Sequence, residues 1–246
     1  MRERIAHDSW ADWYDFIYER TYGESYRWLT DESLRAVLEI ARPGDRVLDV
    51  GAGTGRLAVP LARHGMSVHA IDRSPAMLHR LLVRADAEGV GGRVTAQCAA
   101  MDQMTLDETF DVAVCVFTVL LYITDRPTLD ATFVAIARAL RSGGRLLVDV
   151  PRISLFSGYE ADNDAIHRRV TIEPDPLDTT GRRFIYSDDT RVKAPHFVRA
   201  SERFLATWWP EEEVMAAANA ASLDLEVDLS DRFARAASAH WWMRRR

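Results

Sequence analysis

The 246-residue chain holds only two cysteines and one lysine, and it lacks any apolar run of the roughly 18 residues that a membrane-spanning helix needs. Cys98 and Cys115 lie in apolar, strand-like runs without His or Cys neighbours at metal-ligand spacing. Both therefore read as core thiols, and no metal site is expected. Lys193 stands alone among 31 Lys and Arg residues, a bias that fits a GC-rich genome and carries no functional weight. The opening MRERIAHDSW has no apolar middle of the kind a secretion signal carries, so a cytoplasmic protein without membrane contact is expected. Positive charge is short as well: a net charge of -6 and a pI near 5.7 give no footprint for a nucleic-acid backbone, and Arg244, Arg245 and Arg246 form only a short local exception. Internal repeats and low-complexity linkers are also missing.

With 48% hydrophobic residues the chain can bury a real core, as one domain or one domain with an insertion. Apolar runs at 46–50, 67–71, 93–97, 110–116 and 144–150 read as strands, with helices between them at about 54–64, 75–88 and 127–141. Ser74 with Pro75, and Asp125 with Pro127, mark two helix starts, and Gly143-Gly144 is expected to stop the third helix. From 152 to 207 the pattern turns to short alternating segments such as RRFIYSDDTRV, read as an antiparallel insertion. A Pro210-started helix, a strand LDLEVDL and a last strand near SAHWWM then return to the first pattern. Alternating strands and helices of this kind make an α/β fold with a mostly parallel sheet covered on both faces.

The stretch VLDVGAGTGRLAVPLARHGMSVHAIDRS concentrates the chemistry. A glycine loop between strand and helix lets backbone N–H groups approach a nucleotide-type ligand. The dinucleotide fingerprint wants its third glycine where Arg56 stands, and here the third glycine is Gly55. Asp49 sets a carboxylate at the loop, which repels a pyrophosphate and favours a ligand with an α-ammonium group or a sulfonium. S-adenosylmethionine carries both. Asp72, about 20 residues further on, sits where a carboxylate accepts the two ribose hydroxyls.

The segments DVGAGTGR, AIDRSPAML, AAMDQM, FDVAVCVFTVLLYI and LRSGGRLLVDVP, in that order over about residues 45–151, resemble the class I S-adenosylmethionine-dependent methyltransferases. The front segment WADWYDFIYERTY and the sheet-like insertion resemble the small-molecule N-methyltransferases, amino-sugar and glycine types among them. The resemblance implies a Rossmann-like, seven-stranded, mostly parallel sheet with helices on both faces and a small antiparallel β insertion. It divides the chain into a helical cap (1–30), a cofactor-binding core (31–151), an acceptor-side insertion (152–207) and a C-terminal part of the core (208–246). It places Asp49, Gly51, Ala52, Gly53 and Gly55 around the methionine part, Asp72 with its neighbour Arg73 at the ribose, and Met77 close by. Ala100, Met101 and Asp102 fall at the adenine, and Val116 and Phe117, after the fourth strand, are further cofactor candidates. Where the family commonly has an acidic residue for the adenine amino group this chain has Ala100, which leaves Asp102 or backbone groups for that contact.

Trp10, Tyr14, Tyr18 and Tyr22 recur at i+4 spacing and put an aromatic stripe on an N-terminal helix. Packing accounts for such a stripe, and so does a site, since aromatic faces stabilise cations. In the second reading Tyr14 faces the acceptor, the helix closes as a lid hinged at Gly23, and Asp12 and Asp15 attract an amine. Phe117 and Tyr122 follow the fourth strand at the edge where open α/β sheets bind ligands. Arg152 follows the fifth strand and either holds an acceptor anion or makes a surface ion pair. His196, in KAPHFV, is the histidine placed for a base, and Tyr14 is the other candidate for proton handling. Methyl transfer from a sulfonium depends mostly on in-line alignment, so a strong base is not required. The sequence has no Asn-Pro-Pro-Tyr-like element of base-modifying methyltransferases. The expected reaction is methylation of a small-molecule acceptor, at an amine nitrogen or, as the alternative, at an oxygen. A nicotinamide oxidoreductase is opposed by Arg56 and Asp49, a non-catalytic nucleoside-binding module stays open, and so does homo-oligomerisation.

Overall fold

The structure, a computed structural model, describes residues 5–106, 109–194 and 196–246. Helices α1 (Tyr14–Tyr22) and α2 (Glu24–Leu38) precede the first strand and meet at Gly23. The core then alternates β1 (Arg46–Val50), α3 (Ala58–Arg63), β2 (Ser67–Asp72), α4 (Pro75–Ala87), β3 (Val94–Cys98), β4 (Phe110–Cys115), α5 (Arg126–Ala139) and β5 (Leu140–Pro151). An excursion of four strands follows, β6 (Tyr159–Asp162), β7 (Ile166–Pro174), β8 (Arg183–Val192) and β9 (Val198–Thr207). The chain ends through α6 (Glu211–Ala220), β10 (Leu223–Asp228) and β11 (Ser238–Arg245).

The main sheet has the order β10-β11-β5-β4-β1-β2-β3, parallel except where β11 runs against β5 and β10. This is the seven-stranded, mostly parallel Rossmann-like sheet expected. Its central strands are buried on both faces, which is why they read as apolar runs without alternation. Leu48, Val50 and Val148 pack on one side with Phe133 and Ile136 of α5, while Val47, Val114 and Leu147 pack on the other with Leu61 of α3 and Leu81 of α4. Strand order reverses between β1 and β4, and the crevice beyond their carboxyl ends is where such sheets bind ligands. The small sheet, β6-β7-β8-β9, is antiparallel throughout. Its inner face packs Ile166, Val192 and Ala200 against Trp10 and Ile17, so the insertion and the N-terminal segment share one core.

Both foreseen helix caps form: Ser74 Oγ accepts from Met77 N at 3.0 Å, and Asp125 Oδ1 accepts from Thr128 N at 2.9 Å. Three details differ from the sequence reading. Helix α3 starts at Ala58 rather than near 54, because Gly51, Gly53 and Gly55 all take positive φ and spend the intervening residues on the turn. Helix α5 ends at Ala139, and Gly143-Gly144 fall inside β5, where a Cβ on Gly144 would lie 3.2 Å from the Asp111 carbonyl oxygen. Cys98 is exposed, not core: it ends β3, the edge strand, with Sγ 3.4 Å from the Arg73 carbonyl. Cys115 is buried as expected.

Candidate active site

The glycine loop after β1 is held at both ends. Gly51 N and Ala52 N donate to the Ile71 carbonyl, and Gly53 N donates to Asp72 Oδ2 at 2.9 Å. Asp72 Oδ1 accepts from Ser74 N at 2.8 Å, so this carboxylate ties the end of β2 to the loop and keeps lone pairs for a ligand. A Cβ on Gly51 would collide with Val119 at 2.6 Å and one on Gly55 with Leu81 at 2.8 Å, whereas the space before Gly53 is open. Gly51 and Gly55 serve close packing, and Gly53 leaves the cradle free.

Asp49 is 5% exposed, and its Oδ2 has no hydrogen-bond partner. Burial, and then the charge of Asp72, push its carboxyl up to about 7. A buried carboxylate with one oxygen unpartnered, beside an open glycine cradle, fits a cationic ligand, and the ammonium and sulfonium of S-adenosylmethionine meet that demand. Because this pKa is raised, neutral Asp49 stabilises the free protein below pH 4, and that contribution is lost as pH rises through 7. Binding of a cation has the opposite dependence. Affinity for S-adenosylmethionine should rise about 15-fold between pH 5.5 and 7, with a proton released on binding at the lower pH. Calorimetry in buffers of different ionisation enthalpy reads both effects, and Asp49→Asn should abolish them; a flat profile in the natural protein would refute the role of this carboxylate.

At the end of β4, Phe117 and Thr118 both take left-handed φ, 71° and 65°, and Thr118 N donates to both oxygens of Asp149 at 3.0 Å. Burial of Asp149 pushes its carboxyl to about 7, eased by the Thr118 bond. Two consecutive non-glycine residues in this region store strain that the surroundings must hold. The Phe117 ring lies 3.9 Å under the Arg56 guanidinium, and the Tyr26 ring covers the other face at 3.6 Å. Arg56, which the sequence offered only as a mismatch to a dinucleotide motif, thus clamps α2 and the β4 turn onto the glycine loop. Met77 is buried and Val116 is 3% exposed, Ala100, Met101 and Asp102 are partly exposed, and Arg73 is exposed.

The N-terminal segment is latched over this crevice by carboxylates. Asp15 Oδ1 accepts from Thr54 Oγ1 at 2.8 Å and from Tyr26 OH at 3.2 Å, and Asp8 Oδ1 accepts from Ser74 Oγ at 2.6 Å. Asp15 is therefore engaged with the loop rather than free to attract an amine, and Asp12 points outward beside Arg80. Tyr14 stacks on Tyr18 with ring centres 4.3 Å apart. All seven tyrosines of the chain join one cluster. Tyr18 neighbours Tyr22 and Tyr26, Tyr22 OH meets Tyr159 OH at 2.5 Å, Tyr159 OH meets Tyr186 OH at 3.4 Å, and Phe204 bridges Tyr186 to Tyr122. Beneath them lies Arg168 of β7, fully buried, with Nε and Nη2 donating to Asp188 Oδ2 at 3.0 and 2.7 Å.

The structure does not bring every candidate to this place. His196 is exposed in the turn between β8 and β9. Arg152 pairs at 3.1 Å with Glu211, both side chains 44% exposed, which is the surface ion pair weighed as the alternative. The histidine found among the tyrosines is instead His7, held by Glu202. Both were legible in principle: His7 lies on the face of Trp10, Tyr14 and Tyr18, and Glu202 falls on the same face of β9 as the inward Ala200, Phe204 and Ala206.

The fold and the crevice together define a Rossmann-like scaffold whose open glycine loop suits a nucleoside-type cofactor. Residues 47–144 match the family model described as a methyltransferase domain. A methyltransferase-named protein of Geobacillus sp. (strain WCH70) is 30% identical over 162 residues, 65% of this chain, and the match spans about three fifths (61%) of that relative's length. A crystal structure of an S-adenosylmethionine-dependent methyltransferase from Clostridium acetobutylicum superposes with a TM-score of 0.81 at 17% identity, covering 95% of this chain and 98% of that one. The sugar N-methyltransferase KedS8 from Streptoalloteichus sp. superposes with a TM-score of 0.71 at 21% identity, covering 100% and 98%. The chain carries a methyltransferase domain on the fold of the S-adenosylmethionine-dependent methyltransferases, and S-adenosylmethionine is the cofactor its residues fit. Among the described residues no helix is long and apolar enough to cross a membrane, and no group of three His, Cys, Asp or Glu could hold a metal ion.

Proposed function

We propose that this protein transfers a methyl group from S-adenosylmethionine to the nitrogen of a small-molecule amine. The observation that carries the reading is the buried Asp49 carboxylate, whose Oδ2 has no hydrogen-bond partner beside the open glycine cradle, a setting that favours a cationic cofactor, while the tyrosine cluster offers aromatic faces to a cationic acceptor. When bound, the cofactor supplies an electrophilic methyl group on a good leaving group. The remaining task is to align the acceptor and exclude water, which falls to the latched N-terminal segment. In this reading residues 31–151 and 208–246 hold the cofactor, with Asp72 at the ribose, while residues 1–30 and 152–207 enclose the acceptor. Tyr14, Tyr22, Phe117 and Tyr122 surround it, and Tyr14, kept neutral by burial, offers its phenol to the acceptor nitrogen. The sugar N-methyltransferase KedS8, which shares the whole fold, supports the amine. A second reading, methylation of a hydroxyl, is favoured by the His7 and Glu202 pair beside Tyr122, since an alcohol depends more on a base.

Release of S-adenosylhomocysteine across a panel of amines and phenols tests the reading. Turnover on amines, with N-methyl products by mass spectrometry, is expected; preference for phenols selects the second reading, and cofactor binding without any turnover leaves a nucleoside-binding module. Tyr14→Phe should lower turnover about 10- to 100-fold with the melting temperature nearly kept. Trp10→Ala, which empties a 4% exposed position, should instead cost about 3 kcal/mol of stability. Equal melting losses at both positions, with turnover per folded molecule intact, would show the stripe to be packing alone.

A further inference from the structure

His7 sits at the entrance to the aromatic cluster with a left-handed φ of 64°, a strained backbone for a residue other than glycine. Its Nε2 lies 2.7 Å from Tyr122 OH. On its other side Nδ1 lies 2.5 Å from Glu202 Oε1, an ion-pair contact too bent for a good hydrogen bond, while the His7 backbone N–H donates to Glu202 Oε2 at 2.7 Å. Five aromatic rings surround the imidazole, those of Trp10, Tyr14, Tyr18, Tyr122 and Phe204, with centres 5.0 to 6.2 Å away. A carboxylate and a shell of aromatic rings are groups that pair with a cation. Burial raises the Glu202 carboxyl, but its bonds to His7 outweigh this and hold it low, so the carboxylate is available to pair with that cation.

Tyr122 connects this pair to the crevice. It closes the turn Val119–Tyr122 after β4, the turn whose Val119 packs on Gly51, and Tyr122 lies within reach of the Asp72 charge. Direct use of a phenolate is ruled out, because burial, Tyr18 and Glu202 push this phenol well above its ordinary range. A proton can enter only as another leaves.

We propose that Tyr122, His7 and Glu202 form a proton relay that relieves the acceptor of its proton, with Tyr122 touching the acceptor and His7 and Glu202 as positioning residues behind it. This rests on the methyltransferase reading. An amine reaches the site as an ammonium whose lone pair is bound to a proton. That proton passes to the Tyr122 oxygen as the Tyr122 proton passes to His7 Nε2, giving an imidazolium paired with Glu202. The freed lone pair forms the N–C bond while the C–S bond breaks and its electrons stay on sulfur. His7 returns the proton to solvent when the lid opens. Asp72, Arg168, Tyr14 and Tyr18 are the other titratable groups facing this path.

Nitrogen-15 NMR of histidine-labelled, cofactor-free protein tests the connection without turnover. The resonances lost in His7→Asn, a substitution that tolerates left-handed backbone, identify His7. Tyr122→Phe should shift its Nε2 signal and Glu202→Gln its Nδ1 signal; signals unmoved by both would overturn the relay whatever the acceptor. With the acceptor identified by the panel above, Tyr122→Phe and His7→Asn should lower kcat about 100-fold, leave KM and the calorimetric affinity for S-adenosylhomocysteine within about twofold, and flatten the acid limb of the pH–rate profile. Unchanged kcat, or a loss uniform across pH that tracks a lower melting temperature, would also overturn it. Failure of the natural protein to bind S-adenosylmethionine would sink the methyltransferase reading instead, leaving the NMR result as it stands.

Discussion

Arg168→Met should lower the stability of this protein by about 3–5 kcal/mol, because it leaves the buried Asp188 carboxylate without its countercharge. Arg168 is fully buried, its Nη1 also reaches Thr21 Oγ1 at 3.2 Å, and the rings of Tyr18, Tyr159 and Tyr22 lie 4.7, 5.7 and 5.8 Å from its guanidinium carbon. Burial alone would favour the neutral side chain, yet the surrounding phenols and Asp188 outweigh it and keep the guanidinium charged. The contact joins β7, β8 and α1, so its loss should loosen the N-terminal segment from the insertion. For a chain of this size the melting temperature should fall by roughly 10 °C. The double variant Arg168→Met with Asp188→Leu should recover much of the loss, since an apolar pair of similar volume replaces both charges. A single variant no less stable than the double would show that the ion pair does not govern this junction.

Asp72→Ala should weaken S-adenosylmethionine binding by about 3 kcal/mol, roughly 150-fold, because in the proposed reading two charge-assisted bonds to the ribose are lost together with the organisation of the loop. The second part follows from the bonds Asp72 accepts from Gly53 N and Ser74 N. Adenosine should lose affinity by a similar factor, since both ligands share the ribose. Asp49→Asn should separate them, weakening the cationic cofactor far more than adenosine. Calorimetry with the two ligands on both variants decides the matter: an Asp72→Ala protein of undiminished affinity would refute the ribose assignment, and equal losses for Asp49→Asn would refute the electrostatic one.

The cofactor half of the molecule was legible in the sequence because its determinants are local. A strand, a glycine turn and a capped helix follow one another within Val47 to Ala87, so the loop between β1 and α3, the carboxylates of Asp49 and Asp72 on successive strands and the Ser74 cap could be read from the local pattern. The N-terminal segment and the insertion were less so, because their contacts cross the chain. His7 meets Tyr122 and Glu202 over separations of 115 and 195 residues, and Arg168 meets Thr21 over 147. The alternation in β7 and β9 pointed Arg168 and Glu202 inward, but a charged residue at an inward position signals only that a partner exists. Asp15 and Arg56 show the same limit, since their roles as latch and clamp depend on α1 and α2 folding back over the loop.

The gathering of every tyrosine in one cluster makes the protein unusually convenient for spectroscopy. The seven tyrosines span Tyr14 to Tyr186 in sequence, yet each has a ring or hydroxyl contact with another member of that cluster or with Phe204. Fluorotyrosine supplied during expression would label the whole protein and yet report from a single neighbourhood, with no signal from the central sheet. A ligand titration followed by fluorine NMR would then observe the neighbourhood of the tyrosine cluster directly, without introducing a substitution.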